Sequence, residues 1–326
     1  MKYLRLSSNN PYLNLAIEEY LLENEKDDVI MLWQNSPSVV VGKNQNIRAE
    51  VDTAALIRFG IRPVRRISGG GAVYHDSGNI NYTFITGTHT GGIDFATLSR
   101  PMVDALASIG ISVSLSGRND LCLADGRKVS GNAQCKRGER VLHHGTLLFD
   151  ADLGMLEKLL TPDEEKLKTK AVKSTRARVA NLRELLPELD SAEELIKLIE
   201  NYIITTFSPQ IIAEPSNPEV ARLKTRNSSD EWLYPTSGVG AKCTLRTKKR
   251  YPFGSVELEA SFIGEAIYAI RIGGDFFGER DVSLLEDMIV GKTVAEIDAT
   301  LCDDDITKHI NGMSKSELIS LINNEH

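Results

Sequence analysis

Arg65-Arg66-Ile67-Ser68-Gly69-Gly70-Gly71-Ala72-Val73-Tyr74-His75-Asp76 is the stretch on which the reading of this chain turns. Three successive glycines let backbone N–H groups converge on an anion without interference from Cβ atoms. The two arginines ahead of them are planar, permanently charged donors suited to phosphate or carboxylate oxygens. Taken alone, the segment is read more simply as a flexible hairpin corner bearing surface arginines. The spacing excludes the common nucleotide motifs, since neither GxGxxG after the first strand nor GxxxxGK[ST] is present. A phosphate held here needs a different cradle.

Around this turn the pattern is that of a mixed α/β sheet. Asn10-Pro11 followed by Leu13, Ile17, Tyr20 and Leu21 predicts an amphipathic helix over 11–25. Strands are expected at 29–33 and 38–42, a glycine-capped helix at 51–60, and strand, turn, strand, strand from 61 to 85. A helix over 94–109 precedes strands at 111–115, 120–124, 127–134 and 140–149. Helical signals follow at 151–160, 182–186 and 191–206; later, 255–262 and 265–272 alternate as a strand pair before helices at 281–289 and 314–323. Lys248-Lys249-Arg250-Tyr251-Pro252 interrupts the pattern, which sets the expected domain boundary between residues 247 and 248.

At 326 residues the chain exceeds one ordinary hydrophobic core, and its 41% hydrophobic and 25% charged residues describe a globular protein. A net charge of -7 argues against a general nucleic-acid binder, which needs a basic face. No apolar run approaches the length of a membrane span. Four cysteines without a CxxC pair, and an N-terminus unlike a signal peptide, predict reduced thiols in a cytoplasmic protein.

Gly126-Arg127-Lys128-Val129-Ser130-Gly131-Asn132-Ala133 puts a lysine on a strand, followed by small residues that leave room for a ligand. Lys128 is the leading catalytic candidate. An ammonium held near a phosphate and a carboxylate neutralises both, as a solvated strand lysine cannot. His143-His144 point to opposite faces of a strand, one inward and one outward, so the pair does not chelate one ion and no fixed metal site is expected. His75-Asp76 are assigned structural hydrogen bonding. Lys166, Lys168, Lys170, Lys173, Arg176 and Arg178 make a basic segment that suits an anion or acidic partner, with Arg176 and Arg178 placed to pack inward.

Taken together and in order, these segments resemble the lipoate–protein ligase family. The match includes Asn14-Leu15-Ala16-Ile17-Glu18-Glu19, Leu32-Trp33-Gln34-Asn35, the Arg65–Asp76 turn with Gly78-Asn79, Gly117-Arg118-Asn119-Asp120-Leu121, Arg127–Ala133, His143–Thr146 and Arg176–Leu182. The resemblance implies a biotin/lipoate ligase-like catalytic domain of the α/β (α+β) class over 1–247 and a small α+β C-terminal accessory domain over 248–326. It implies that Arg66, Gly71, Ala72, Val73, Tyr74 and Lys128 bind ATP or the adenylate. Lipoate is implied to lie against Lys128, Trp33, Ser68, Gly70, Ala133 and His144. ATP with Mg²⁺ and lipoate are the implied co-substrates. The implied partners are lipoyl domains of 2-oxoacid dehydrogenases or the glycine-cleavage carrier protein, with neither nucleic acid nor membrane among them.

Competing readings carry their own signatures. A thioester-forming octanoyl or lipoyl transferase of the same fold needs a cysteine shortly before the lysine motif. Ser114–Asp120 contains none, and Cys122 and Cys135 are misplaced for that role. A biotin ligase would carry a GRGRxxR type of turn. A silent lipoate sensor would bind without turnover, and Arg66, the glycines and Lys128 together argue for chemistry.

Overall fold

A computed structural model describes residues 1–87, 94–161, 178–235, 239 and 243–324. The strands are β1 (Lys2–Arg5), β2 (Val29–Trp33), β3 (Ser38–Val41), β4 (Arg62–Arg65), β5 (Val73–His75), β6 (Asn79–Gly87) and β7 (Ser114–Ser116). After these come β8 (Asp120–Cys122), β9 (Lys128–Arg137), β10 (Arg140–Leu148), β11 (Gln210–Ile211), β12 (Leu245–Tyr251), β13 (Gly254–Ile263) and β14 (Ala266–Gly274). They form an eight-stranded sheet in the order β11-β1-β2-β6-β10-β9-β8-β7, a three-stranded sheet β4-β3-β5, and a second three-stranded sheet β12-β13-β14. Parallel pairs β1/β2 and β3/β4 stand among antiparallel ones, so the sheets are mixed, as expected.

Local chemistry explains where the first helix begins. Asn10 Oδ1 accepts from the N–H groups of Tyr12 (3.0 Å) and Leu13 (3.2 Å), and Pro11 opens the helix Pro11–Asn24. That helix covers one face of the large sheet, where Leu15, Ile17 and Leu22 pack with Met31, Trp33, Ile85 and Leu142. The helices Phe95–Ser108 and Ala192–Phe207 cover the other, packing on Ile30, Leu32, Ile80, Tyr82 and Leu147. Because both faces are covered, β2 is buried at every residue instead of alternating. His143 and His144 do point to opposite faces, yet both are buried, which corrects the expectation that one faces outward.

Ile111 and Val113 pack in the core ahead of the strand expected at 111–115, which forms at Ser114–Ser116. The segment 182–186 yields only a 3-10 turn at Leu182–Glu184. The basic run at 245–251 is not a break. It is the strand β12, whose Arg246, Lys248 and Arg250 are exposed while Thr247 and Tyr251 are buried, and the boundary expected at 247/248 would cut it. Lysine and arginine on an edge strand discourage stray pairing, which is why this strand looks unlike one. Helices Val294–Thr300 and Asp303–Thr307 were not expected, although Thr293 and Glu296 form a capping box. Lys166–Arg176 lie outside the described residues; Arg178 is described and is exposed, not packed inward. Among the described residues no helix is long and apolar enough to cross a membrane.

Candidate active site

One row of side chains crosses the large sheet on the face that also carries the helix Pro11–Asn24. Trp33 on β2 pairs with Asn81 on β6, Asn81 pairs with Thr146 on β10, the Gly131 N–H donates to Thr146 Oγ1 (3.2 Å), and Gly131 pairs with Asp120 on β8. The β4-β3-β5 sheet and the glycine turn roof this row. Between them lies a cleft of about 240 Å³. Its lining divides by chemistry: Leu15, Trp33, Val40 and Ala133 are apolar, whereas Arg66, Arg118 and Lys128 bring positive charge and Asp120 and Asp275 negative.

The turn is fastened from within by its own arginine. Arg66 Nε donates to Ser68 Oγ (3.1 Å), Nη1 to the Val40 carbonyl (3.1 Å), and Nη2 to the carbonyls of Gly69 (2.7 Å) and Gly71 (2.8 Å). Burial pushes its guanidinium down to about 10, still charged at neutral pH. Arg65 points the other way. It donates to the carbonyls of Gly42, Lys43, Gln45, Trp232 and Leu233, so it supports the loop and does not serve as the second phosphate donor that the sequence suggests.

Lys128 stands at the first position of β9, where its N–H donates to the Arg178 carbonyl (2.6 Å) and its carbonyl accepts from Ala180 (2.9 Å). Its ammonium lies 2.8 Å from Asp120 Oδ1, and about a third of each side chain is open to solvent. Gly131 makes this possible, because a Cβ there would meet Lys128 Nζ at 2.8 Å.

A chain of polar contacts runs behind the apolar end. Ser68 Oγ and His144 Nε2 are 2.7 Å apart, His144 Nδ1 meets both oxygens of the buried Glu18 at 2.9 and 3.0 Å, Thr83 donates to Glu18 (2.7 Å), and Trp33 Nε1 donates to Thr83 (2.9 Å). Glu18 is thereby satisfied without solvent.

The C-terminal unit reaches the same turn. Gly70, at φ +91, donates its N–H to the Phe276 carbonyl (3.1 Å), and a Cβ on Gly69 would collide with that carbonyl. Phe277 lies under the Arg118 guanidinium, 5.5 Å from its ring centre, and Lys43 pairs with Asp281.

The family model described as lipoyl protein ligase A/B catalytic domain matches residues 10–204, and that of the bacterial lipoate protein ligase C-terminus matches residues 241–322. The chain belongs to the lipoate–protein ligase family. It is 37% identical to lipoate-protein ligase LplJ of Bacillus subtilis (strain 168) over 96% of this chain and 97% of that protein. It is 36% identical to lipoate–protein ligase 1 of Staphylococcus aureus (strain Mu50), over 99% of this chain and all of the other. Among solved structures it is similar to P. falciparum LipL1 in complex with lipoate, with a TM-score of 0.76, 26% identity, and coverage of 100% of this chain and 98% of that one. The bipartite lipoate protein ligase of Thermoplasma acidophilum matches at a TM-score of 0.61 and 27% identity, covering 72% of this chain and 95% of that chain.

Of the residues singled out from this ligase's sequence, Trp33, Arg66, Gly70, Gly71, Ala72, Val73, Lys128, Ala133 and His144 line the cleft. Ser68 and Tyr74 do not. Ser68 is fully buried behind the wall, between Arg66 and His144, and Tyr74, half-buried on β5, packs against the core cluster that contains Val39 and Ile47. His75 and Asp76 do not bond each other: His75 Nδ1 meets Asn35 Nδ2 (3.0 Å), while Asp76 accepts from Gly78 and Asp152 (both 2.9 Å). Sequence reasoning passed over Asn81, Arg118, Asp120, Thr146 and Asp275 as lining residues. The Gly117–Leu121 motif was a signal for Arg118 and Asp120; none existed for Asp275, which arrives from the C-terminal unit. Cys122 and Cys135 are buried and outside the cleft lining, a placement that suits neither for thioester chemistry, and burial pushes the Cys135 thiol up to about 12.

Proposed function

We propose that this cleft forms lipoyl-adenylate and that Lys128 bridges the lipoate carboxylate and the α-phosphate of ATP while it does so. The chain is an ATP-dependent lipoate–protein ligase by family, and the division of its cleft into an apolar end and a cationic end carries the assignment of residues. The acyl chain suits the Leu15, Trp33, Val40 and Ala133 side; the phosphates suit Lys128 and Arg118. A carboxylate oxygen attacks the α-phosphorus, a new O–P bond forms, the bond to the β-phosphate oxygen breaks, and pyrophosphate leaves. An acceptor lysine amine then attacks the acyl carbon, a C–N bond forms, AMP departs with the former carboxylate oxygen, and the amine proton passes to solvent. Lys128 is a partly solvated cation whose ion pair among the described residues is with Asp120, and it can exchange that carboxylate for the reacting oxygens.

Arg66, Gly71, Ala72, Val73 and Tyr74 are proposed on the nucleotide side, and Trp33, Ser68, Gly70, Ala133 and His144 on the lipoate side, with Ser68 and Tyr74 acting through the wall. Mg²⁺ is proposed to enter as Mg-ATP; among the described residues no three metal-ligating side chains gather. The acceptor is proposed to be a lipoyl domain of a 2-oxoacid dehydrogenase or the glycine-cleavage carrier, in the cytoplasm. The Thermoplasma ligase is described with its E2 lipoyl domain, which favours the first. The division between the two domains is proposed to lie ahead of β12, not inside it.

Mass spectrometry of such an acceptor after incubation with the enzyme, Mg-ATP and lipoate tests this reading. One lysine gains a lipoyl group, and only with ATP present. Transfer from an acyl carrier without ATP would reverse the assignment.

A further inference from the structure

A run of buried polar groups lies on the face of the large sheet away from the cleft, and the reaction above gives it no task. Tyr82, Asn132, Gln134 and His143 are each 3% exposed or less. Gly145 leaves the space that they fill, because a Cβ there would collide with Asn132 Oδ1 and the Tyr82 hydroxyl.

The backbone settles the state of the His143 ring from two sides. Asn132 Nδ2 donates to the Asn119 carbonyl (2.9 Å), so Asn132 Oδ1 is turned to Tyr82 and His143 as an acceptor. The Tyr82 hydroxyl donates to it, and so does His143 Nε2–H at 3.1 Å. On the other side Gln134 Oε1 accepts from the Asp94 N–H (2.9 Å) and its Nε2 donates to the Asp94 carbonyl (2.8 Å), so the same Nε2 donates to His143 Nδ1 (2.8 Å). Both ends require one neutral tautomer, with the proton on Nε2. Burial, with His144 beside it, pushes His143 down to about 3, which keeps the ring neutral.

The run ends on the tip of the β7–β8 hairpin. The Asn119 carbonyl accepts from the backbone N–H and the side chain of Asn132, each at 2.9 Å, and Asn119 Nδ2 donates back to the Asn132 carbonyl. Gly117, at φ +61, and Arg118 are exposed, so the place of the tip is set from beneath. It brings Arg118 and Asp120 to the cleft, and Asp120 holds the Lys128 ammonium. An aromatic route runs beside the polar one: Phe95 lies 6.0 Å from the His143 ring and 5.2 Å from Phe277, over which the Arg118 guanidinium stands.

We infer, on the adenylate-forming reading above, that His143, with Tyr82 beside it, is a positioning residue for that step: through Asn132 it fixes the hairpin tip, and with it Arg118 and Asp120, against Lys128. A misplacement of about 1 Å can cost about 100-fold in rate. A buried chain with every member satisfied and a single tautomer resists such drift. A histidine that only filled the core would need no bonded path to the tip.

Lipoate-dependent ATP–pyrophosphate exchange, with urea titration alongside, tests this on the wild type, His143→Leu, His143→Gln and Tyr82→Phe. In His143→Leu no partner is stranded, because Asn132 Oδ1 keeps Tyr82 and Gln134 Nε2 keeps the Asp94 carbonyl, so the variant should fold. Its maximal exchange rate should fall about 100-fold while the KM values for ATP and lipoate change by less than about twofold. His143→Gln, which again offers an N–H and an acceptor, should return to within about fivefold of the wild-type rate. Tyr82→Phe, which removes one donor to Asn132, should lower the rate about tenfold. A wild-type rate in His143→Leu would overturn the inference, as would equal losses in His143→Leu and His143→Gln, or a loss carried by KM instead of the rate. Should His143→Leu fail to fold, Tyr82→Phe decides, and a wild-type rate there would overturn it. Absence of exchange in the wild type would overturn the adenylate reading, and this positioning role with it.

Discussion

The glycine turn and the start of β9 each bring a cation to the same cleft, and they hold it in opposite ways. Arg66 is 6% exposed and distributes its donors over Ser68 and the carbonyls of Val40, Gly69 and Gly71. The Lys128 side chain is 31% exposed, and its ammonium faces one carboxylate, that of Asp120. A guanidinium so fully engaged shapes a wall; an ammonium with one exchangeable partner can follow charge as it develops. The difference assigns architecture to the turn and chemistry to the strand.

The contrast breaks most visibly at Lys128. Lys128→Ala should lower lipoate-dependent ATP–pyrophosphate exchange about 1000-fold, at the upper end for loss of a preorganised charge donor, while its unfolding free energy by urea titration changes by no more than about 0.5 kcal/mol. Near-normal exchange would move the chemistry elsewhere. Arg66→Met should do the reverse first, losing about 3 kcal/mol of stability by urea titration because several buried carbonyls lose their donors. A loss below about 1 kcal/mol would mean that the turn holds without its staple.

The turn should also be more sensitive to acid. Burial holds His75 at about 3, below its ordinary 6.5, so the unfolded chain takes up a proton that the folded chain refuses. The stability carried by the neutral ring is complete above pH 6.5 and declines as the pH falls from 6.5 toward 3, by about 2 kcal/mol at pH 5. Urea midpoints at pH 7 and 5 should show that difference between the wild type and His75→Gln; parallel curves would contradict it. A smaller effect, about 1–2 kcal/mol, is expected for Gly69→Ala, whose new methyl meets the Phe276 carbonyl. Hydrogen exchange across 274–281 should rise in that variant, and unchanged protection there would show that the C-terminal unit does not lean on the turn.

Much of this was legible in the residues because it is local. Asn10-Pro11 announces a capped helix, Gly60 ends another at φ 64, and alternation marks β13 and β14. What escaped was decided at a distance. Arg65 and Arg66 are adjacent and look alike in sequence, yet β4 sends one toward the Trp232–Leu233 backbone and the other into the turn. β12 hides its buried Thr247 and Tyr251 between charges that an edge strand needs. His143 is buried because Phe95, from a helix far along the chain, closes over it with ring centres 6.0 Å apart. Asp275 and the Phe276 carbonyl reach the site only through the packing of a separate sheet. The capping box at Thr293–Glu296 was readable and was missed.

A structure of the enzyme bound to a non-hydrolysable lipoyl-adenylate tests the division of labour most directly. The account predicts Lys128 Nζ detached from Asp120 and within hydrogen-bond distance of both the acyl and phosphate oxygens, with Arg66 still bonded to Gly69 and Gly71. An intermediate bound elsewhere, with Lys128 still on Asp120 or directed into bulk water, would contradict it.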